Sequence, residues 1–296
     1  MNESDFIVYK DTQYCAVDYN NNVFSCSSSF SQLMNTLIQN NANKIFIRKG
    51  VYEVDGEIDI VMPSKSDRRL VIEGVRGATE LRATSGYTGK VFNIVNSDIV
   101  KIENLVINPS NGIGIYIENS HRVEIKDVWV FSGTGVYIKG YSLSRILDSD
   151  LSDGVVGIVI DNVSDHTLIN NVDCFAHSQR CIDIVNQTDP AGVVYINNLN
   201  SEIPNGSEVI RIKNATAPTI VVTNSTLWKA GYGINIENDT YSDSTIIIGF
   251  NEFRYQTVSA IRSVNHKNVL AIGNSIRDTP QRVIGDVTMY YNLPFF

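Results

Sequence analysis

The chain has 296 residues, with 24 Lys and Arg against 32 Asp and Glu, and the resulting net charge of −8 argues against nucleic acid, whose phosphates need a basic surface. Apolar residues make up 43%, enough for a large core, while charged residues reach only 19%, where about 25% is usual. Neutral polar residues fill the gap, 31 of them asparagine, so the composition excludes disorder and collagen-like repeats and asks for a fold that consumes asparagine.

At the N-terminus, Met1-Asn2-Glu3-Ser4-Asp5 is acidic and polar, unlike the basic start of a secretory leader, so no classical signal peptide is expected. No stretch reaches the roughly 18 apolar residues of a membrane span. Residues 1–28 read as an N-terminal arm carrying Cys15 and Cys26. Between Ser29 and Gln39, the apolar Phe30, Leu33, Met34, Leu37 and Ile38 fall at i, i+3, i+4, i+7 and i+8 behind serines able to cap, which predicts an amphipathic helix. Strands follow at 44–54, around Gly50, and at 70–75, so 29–90 reads as a cap and entry segment.

From 91 to 278 one unit recurs: Ile-x-Ile-x-Asn, then Val-x-Ile-x-Asn/Asp-Leu/Val. Its first asparagine position holds Asn96, Asn119, Gly140, Asn162, Asn186, Asn214, Asn238 and Asn265, spaced 21 to 28 residues apart. Apolar and polar residues alternate at period two within each unit, the mark of strands with one buried face. Two or three short strands in each repeat of this length predict the coil of a parallel β-helix. Eight coils at about 4.8 Å each would make a rod of roughly 40 Å. Asparagine tolerates left-handed backbone at coil corners, and its amide can bond to the same position one coil away. An open end of such a rod exposes strand edges and apolar cross-section, so the helix is expected to serve as a lid. At the other end, 279–296 carries Tyr290, Tyr291, Leu293, Phe295 and Phe296, which either close the last coil or dock onto a partner.

The stretch from Tyr14 to Ala83, with its helix, Ile45-Phe46-Ile47-Arg48-Lys49-Gly50-Val51-Tyr52 and Leu70-Val71-Ile72-Glu73-Gly74-Val75, resembles the entry segment of the pectate-lyase-like right-handed β-helix superfamily. That superfamily includes polysaccharide lyases, polygalacturonases, phage tailspikes and surface proteins of archaea and their viruses. With the coils, the resemblance covers about Tyr14 to Asp278. It implies an all-β, single-stranded right-handed parallel β-helix of about eight or more coils, one domain over 1–296 with an N-terminal capping helix. For activity it implies less. Arg211-Ile212-Lys213 matches the Arg-Ile-Lys of polygalacturonases, but no Gly-His-Gly precedes it, and an Ile-x-Ile repeat yields such a tripeptide by chance. Asn171-Val172-Asp173-Cys174 lacks paired aspartates, and the Trp-Ile-Asp-His of pectate lyases is absent.

Glycoside hydrolysis needs two carboxylates, about 5 Å apart for retention and 6.5–9.5 Å for inversion. Asp127 and Asp150 differ by 23, one coil, and Asp148, Asp150 and Asp153 share a corner. Asp173 lies another 23 on, although aligning the repeats puts Asn171 in register with Asp150. These five form a candidate catalytic patch, with Arg211 and Lys213 as further candidates, or a calcium site under a lyase reading. The alternative is that they are corner aspartates standing in for asparagine. Trp129 and Trp228 are candidate sugar platforms or core residues. His177 lies between Cys174 and Cys181, but with no further Cys or His nearby a zinc site is not expected. Cys15 with Cys26 and Cys174 with Cys181 can form local disulfides or stay reduced. Of seven Asn-x-Ser/Thr sequons, those at Asn162, Asn186, Asn214 and Asn238 share one repeat position, and of the other three Asn205, in the loop Pro204-Asn205-Gly206-Ser207, is the candidate glycosylation site. The longer coils, 186–193 and 200–207, are expected to bulge on one side and build a binding surface.

Function then reads as a surface-displayed, tailspike-like β-helix that recognises carbohydrate at a virion or extracellular surface. The alternatives are an active hydrolase or lyase and a purely structural spike. The expected partners are a glycan and other surface or virion proteins, with a homotrimer as one assembly, and no cofactor is expected.

Overall fold

A computed structural model describes residues 5–62, 69–204, 207–290 and 293–294. Its one helix among these residues, α1 (Phe30–Gln39), starts where the serines predict, because the Ser29 side chain accepts from the Gln32 amide. Phe30, Leu33, Met34, Leu37 and Ile38 are all buried on one face. That face lies over the first coil, where Phe30 meets Tyr52 at 5.0 Å and Tyr14 at 5.5 Å between ring centroids. Residues 5–28 are more than an arm. Phe6–Lys10, Tyr14–Val17 and Val23–Ser27 form an antiparallel meander, and the first of these strands pairs in parallel with Lys44–Ile47. Cys15 and Cys26 face each other across the meander as a disulfide.

The rest of the described chain winds through about 10 turns of parallel strands. Three sheets run along the rod. The first stacks Lys90–Val95, Ile113–Glu118, Thr134–Lys139, Val156–Asp161, Arg180–Val185 and Glu208–Lys213. The second stacks Leu70–Glu73, Asp98–Glu103, His121–Lys126 and the first halves of the strands that begin at Ser144, His166 and Val193. The third stacks Thr79–Ala83, Val106–Asn108, Trp129–Phe131 and the second halves of those strands. Inward positions are isoleucine and valine: Ile94, Ile117, Ile138, Ile160, Ile184, Ile212 and Ile236 form one column, all fully buried. Like side chains at equal height fill the interior with little volume mismatch between coils.

Two corners carry the asparagine. Asn96, Asn119, Asn162, Asn186, Asn214 and Asn265 turn the first sheet into the second with φ of +47° to +58°, and Gly140 takes the same place at +68°. Asn238 departs from this column: its φ is not left-handed, its side chain is 4% exposed, and it lies within the long strand Tyr232–Gly249. Asn104, Asp127, Asp148, Asn171, Asn198 and Asn224 turn the second sheet into the third with φ of +51° to +60°. Here the amides form a ladder, Asn198 Nδ2 donating to Asn171 Oδ1 at 2.9 Å and Asn171 Nδ2 to Asp148 Oδ1 at 2.7 Å. Parallel pairing continues past 278 through Gln281–Gly285, Thr288–Tyr290 and Leu293–Pro294. Tyr290 stands 52% exposed on this last coil and is not packed over its end, while Tyr291, Phe295 and Phe296 lie outside the described residues.

Candidate functional site

On the outside of the third sheet, one row runs Glu80, Val106, Trp129, Asp150, Asp173, Asn200 and Thr226. The corner row beside it holds Asp127 and Asp148. This arrangement corrects the register read from spacing. Asp150 pairs with Asp173, whereas Asn171 sits over Asp148, and Trp129 occupies the place one coil below Asp150. Asp127 is the equivalent of Asp148, since Lys126 pairs with Leu147 and the Asp127 amide donates to the Leu147 carbonyl. The corner reading therefore holds for Asp127 and Asp148, at φ +52° and +51°, and fails for Asp150, which lies within a strand. Asp153, at φ +55°, turns the next corner.

Asp127, Asp148, Asp150, Trp129 and Arg76 line a depression of about 190 Å³ whose floor includes Leu105 and Val106. Arg76 comes from the turn after Leu70–Glu73, and its Nη2 lies 3.3 Å from Asp127 Oδ1. Trp129 is 46% exposed, and its Nε1 donates to Ser152 Oγ at 3.1 Å, which fixes the ring's outer face toward solvent. Asp150 Oδ1 is buried and has no hydrogen-bond partner among the described residues. Burial, then the charges of Asp173 and Asp153, push the Asp150 carboxyl up to about 6. Asp173 is held from the next coil by Asn200 Nδ2 at 3.1 Å. Side chains in register on adjacent strands stack near the ~4.8 Å strand spacing, close to the roughly 5 Å carboxylate separation of retaining glycosidases. Asp150, its carboxyl raised by burial and like charge, in register with Asp173 is thus a geometry for acid and base or nucleophile roles.

The remaining candidates lie elsewhere. Trp228 is half-buried on the other outward row of the third sheet, between Glu202 and Arg254 in register, with the Arg254 guanidinium 5.5 Å from its ring centre. Arg211 and Lys213 are on the first sheet, away from the aspartates. Arg211 Nε and Nη2 both reach Asp183 at 2.8 Å, and Arg180 Nη1 reaches Asp183 at the same distance. Arg180 also faces Glu208 at 3.4 Å. This buried, charge-paired cluster was not anticipated, although its signal was present: Asp183, Arg211 and Asn235 each stand between two isoleucines of the repeat and stack in register. Arg76 had no such signal, being brought to Asp127 only by the coil.

Cys174 and Cys181 form a disulfide, and His177 between them is 2% exposed, its Nε2 3.1 Å from the Leu151 carbonyl. Burial holds its imidazole below the usual histidine range. No three His, Cys, Asp or Glu side chains among the described residues are placed to hold a metal ion. The long connections do not share a side: 186–192 joins the first sheet to the second, while 203–207 joins the third to the first. Asn205 lies outside the described residues. No helix among the described residues is long and apolar enough to cross a membrane.

Three parallel sheets closed around a single isoleucine-lined core define a right-handed parallel β-helix protein. The profile of the right-handed β-helix region matches residues 91–240, just over half of the chain, and the chain belongs to that family. Among solved structures it is similar to tailspike protein 2 of bacteriophage CBA120, at 12% identity and a TM-score of 0.62, covering 86% of this chain and 43% of the tailspike domain. An endo-xylogalacturonan hydrolase from Aspergillus tubingensis also gives 12% identity and 0.62, covering 88% of both chains. PfbA, a surface adhesin of Streptococcus pneumoniae, gives 13% and 0.60, covering 84% of this chain and 74% of the adhesin. The chain thus spans less than half of the tailspike domain it matches. No curated protein matches it. The fold is shared by a tailspike, an adhesin and a polysaccharide-degrading enzyme.

Proposed function

We propose that this protein is a surface-displayed, tailspike-like β-helix that binds a glycan in the acidic depression on its third sheet. The observation that carries this reading is the exposed, hydrogen-bonded Trp129 ring standing in register with Asp150 and lining the same depression as the Asp127 and Asp148 carboxylates. A sugar stacks its C–H face on such a ring while its hydroxyls donate to carboxylates, so platform and acceptors belong to one site. The tailspike and adhesin among its structural neighbours support a virion or extracellular location. The first-sheet cluster is the weaker site, because Arg211 and Arg180 already satisfy Asp183.

A second reading, a retaining hydrolase, is favoured by the Asp150 and Asp173 pair. Reducing-end and unsaturated-product release on a glycan panel, alongside binding, separates the two. Under the binding reading, wild type binds without releasing product, and Trp129→Ala weakens binding at least about tenfold. Under the hydrolase reading, Asp150→Asn abolishes product release while binding persists, and wild-type activity declines above about pH 6 as the acid ionises. Glycan affinity unchanged in both variants removes the depression from the function. Light scattering tests assembly, since a structural spike requires a trimer or another defined oligomer.

A further inference from the structure

The second sheet carries a feature of opposite charge. Because Leu70, Val100, Val123 and Ser144 are in register, the positions just before them stack as Arg69, Ile99, Arg122 and Leu143. One residue further along the strands, Lys101, Glu124 and Arg145 form the adjoining outward row. Together these residues line a depression of about 380 Å³ across four successive coils, about 14 Å along the rod. Four cations and one carboxylate border it, on a chain whose net charge is −8.

Two of the cations are already matched. Lys101 Nζ sits 2.7 Å from Glu103 and 3.4 Å from Glu124, and Arg122 forks onto Asp98, its Nε 2.8 Å from Oδ1. Arg69 and Arg145 are exposed and have no anionic partner among the described residues. Two guanidinium forks without an anionic partner among the described residues, one on each side of an apolar floor of Ile99, Val123 and Leu143, fit a planar or tetrahedral oxyanion. The backbone points to the same place. Ile99 and Arg122 are both left-handed, at φ +53° and +54°, and a β-branched residue avoids that conformation. Strain of this kind, stacked on two coils at the rim of one cavity, marks a shape the rest of the coil does not require.

Across the Asp98–Arg122 pair lies an adjoining depression bordered by Asn96, Asn119, His121 and Tyr141. Tyr141 is 53% exposed, and its ring lies 4.5 Å from the His121 ring. Amide, hydroxyl and aromatic groups here suit the neutral part of a sugar, with the arginines beyond suiting its charge.

We infer that this second-sheet depression binds an anionic carbohydrate through its carboxylate or sulfate, at a site separate from the acidic groove. Titration calorimetry on the full chain uses a glucuronate hexamer, dextran sulfate and unmodified dextran. At least one anionic glycan binds, weakening as salt is raised, and dextran does not. The tighter of the two identifies carboxylate or sulfate as the natural group. Arg145→Ala loses about tenfold in affinity, as expected for one charge-assisted contact, and Arg69→Glu with Arg145→Glu abolishes binding. Both side chains are exposed and have no anionic partner among the described residues, so the melting temperature stays at the wild-type value. Trp129→Ala retains the anionic ligand, which keeps this result distinct from that of the acidic groove. Failure of both anionic glycans, equal binding of dextran, indifference to the double substitution, or tighter binding of a single-stranded oligonucleotide overturns the inference.

Discussion

Asp150 is where burial and like charge act in the same direction. Its folded pKa of about 6 lies above the ordinary 3.8, so the native state holds a proton that the unfolded chain releases between those values. Stability contributed by this group is complete below pH 3.8 and is lost as pH rises through about 6. Asp150→Asn removes the titration: thermal melts at pH 4 and pH 7 should differ less in the variant, with its gain over wild type appearing at pH 7. A variant with the wild-type pH slope would show that the carboxyl is solvated. Asn171 makes the complementary case. It combines φ +55° with hydrogen bonds to Asp148 and from Asn198. Asn171→Ala should cost about 3–4 kcal/mol in urea unfolding, from strain of about 1–2 and two lost hydrogen bonds of about 1 each. Asn171→Gly recovers the strain but not the ladder, and so should fall between. The acidic residues were legible as a group, but their register was not. Asp127 to Asp148 spans 21 residues and Asp148 to Asn171 spans 23, so equal spacing between Asp127 and Asp150 did not mean equal height.

At the scale of strands and turns, the repeat was legible because one chemical rule, isoleucine inward at alternate positions, holds on every coil whatever the corner lengths. The spacing of coils depends on something the hydrophobic pattern does not display. Gly114, Gly135 and Gly157 stack in register on the first sheet, none with left-handed φ, so space and not conformational freedom selects glycine there. A Cβ on Gly114 would come within 2.7 Å of the Gly135 carbonyl oxygen, and one on Gly157 within 2.7 Å of the Cys181 carbonyl oxygen. Gly135→Ala meets the Gly157 carbonyl in the same way and should cost about 1–3 kcal/mol, as for overpacking, in urea unfolding. A midpoint equal to wild type would mean that neighbouring coils part without loss. The same tight corner brings His177 against Gly154 and Gly157, beside the Cys174–Cys181 disulfide. That explains a buried histidine between the two cysteines: its ring fills the space the glycines leave.

For the molecule as a whole, coils touch only their neighbours, so stability is distributed along the rod and its ends behave differently from its middle. The N-terminal end is covered by α1, with Phe30, Leu33, Met34 and Leu37 at most 1% exposed. The C-terminal coil is barer, with Met289 37% and Tyr290 52% exposed. Leu37→Ala opens a cavity beneath the lid and should cost about 2–5 kcal/mol locally. In a nearest-neighbour solenoid that loss is felt by the coils the helix covers and fades with distance. Hydrogen exchange read by mass spectrometry should therefore quicken in strands between Phe6 and Ile60, while peptides from 193 to 249 keep wild-type protection. Uniform acceleration along the chain would instead make the rod one cooperative unit. Local loss would leave the two proposed glycan sites differently exposed. The second-sheet depression begins at Arg69, one coil above the entry strands, whereas Asp150 and Asp173 lie several coils further along. Leu37→Ala should accordingly weaken anionic-glycan binding before it disturbs the acidic groove, an ordering that titration at rising urea can read directly.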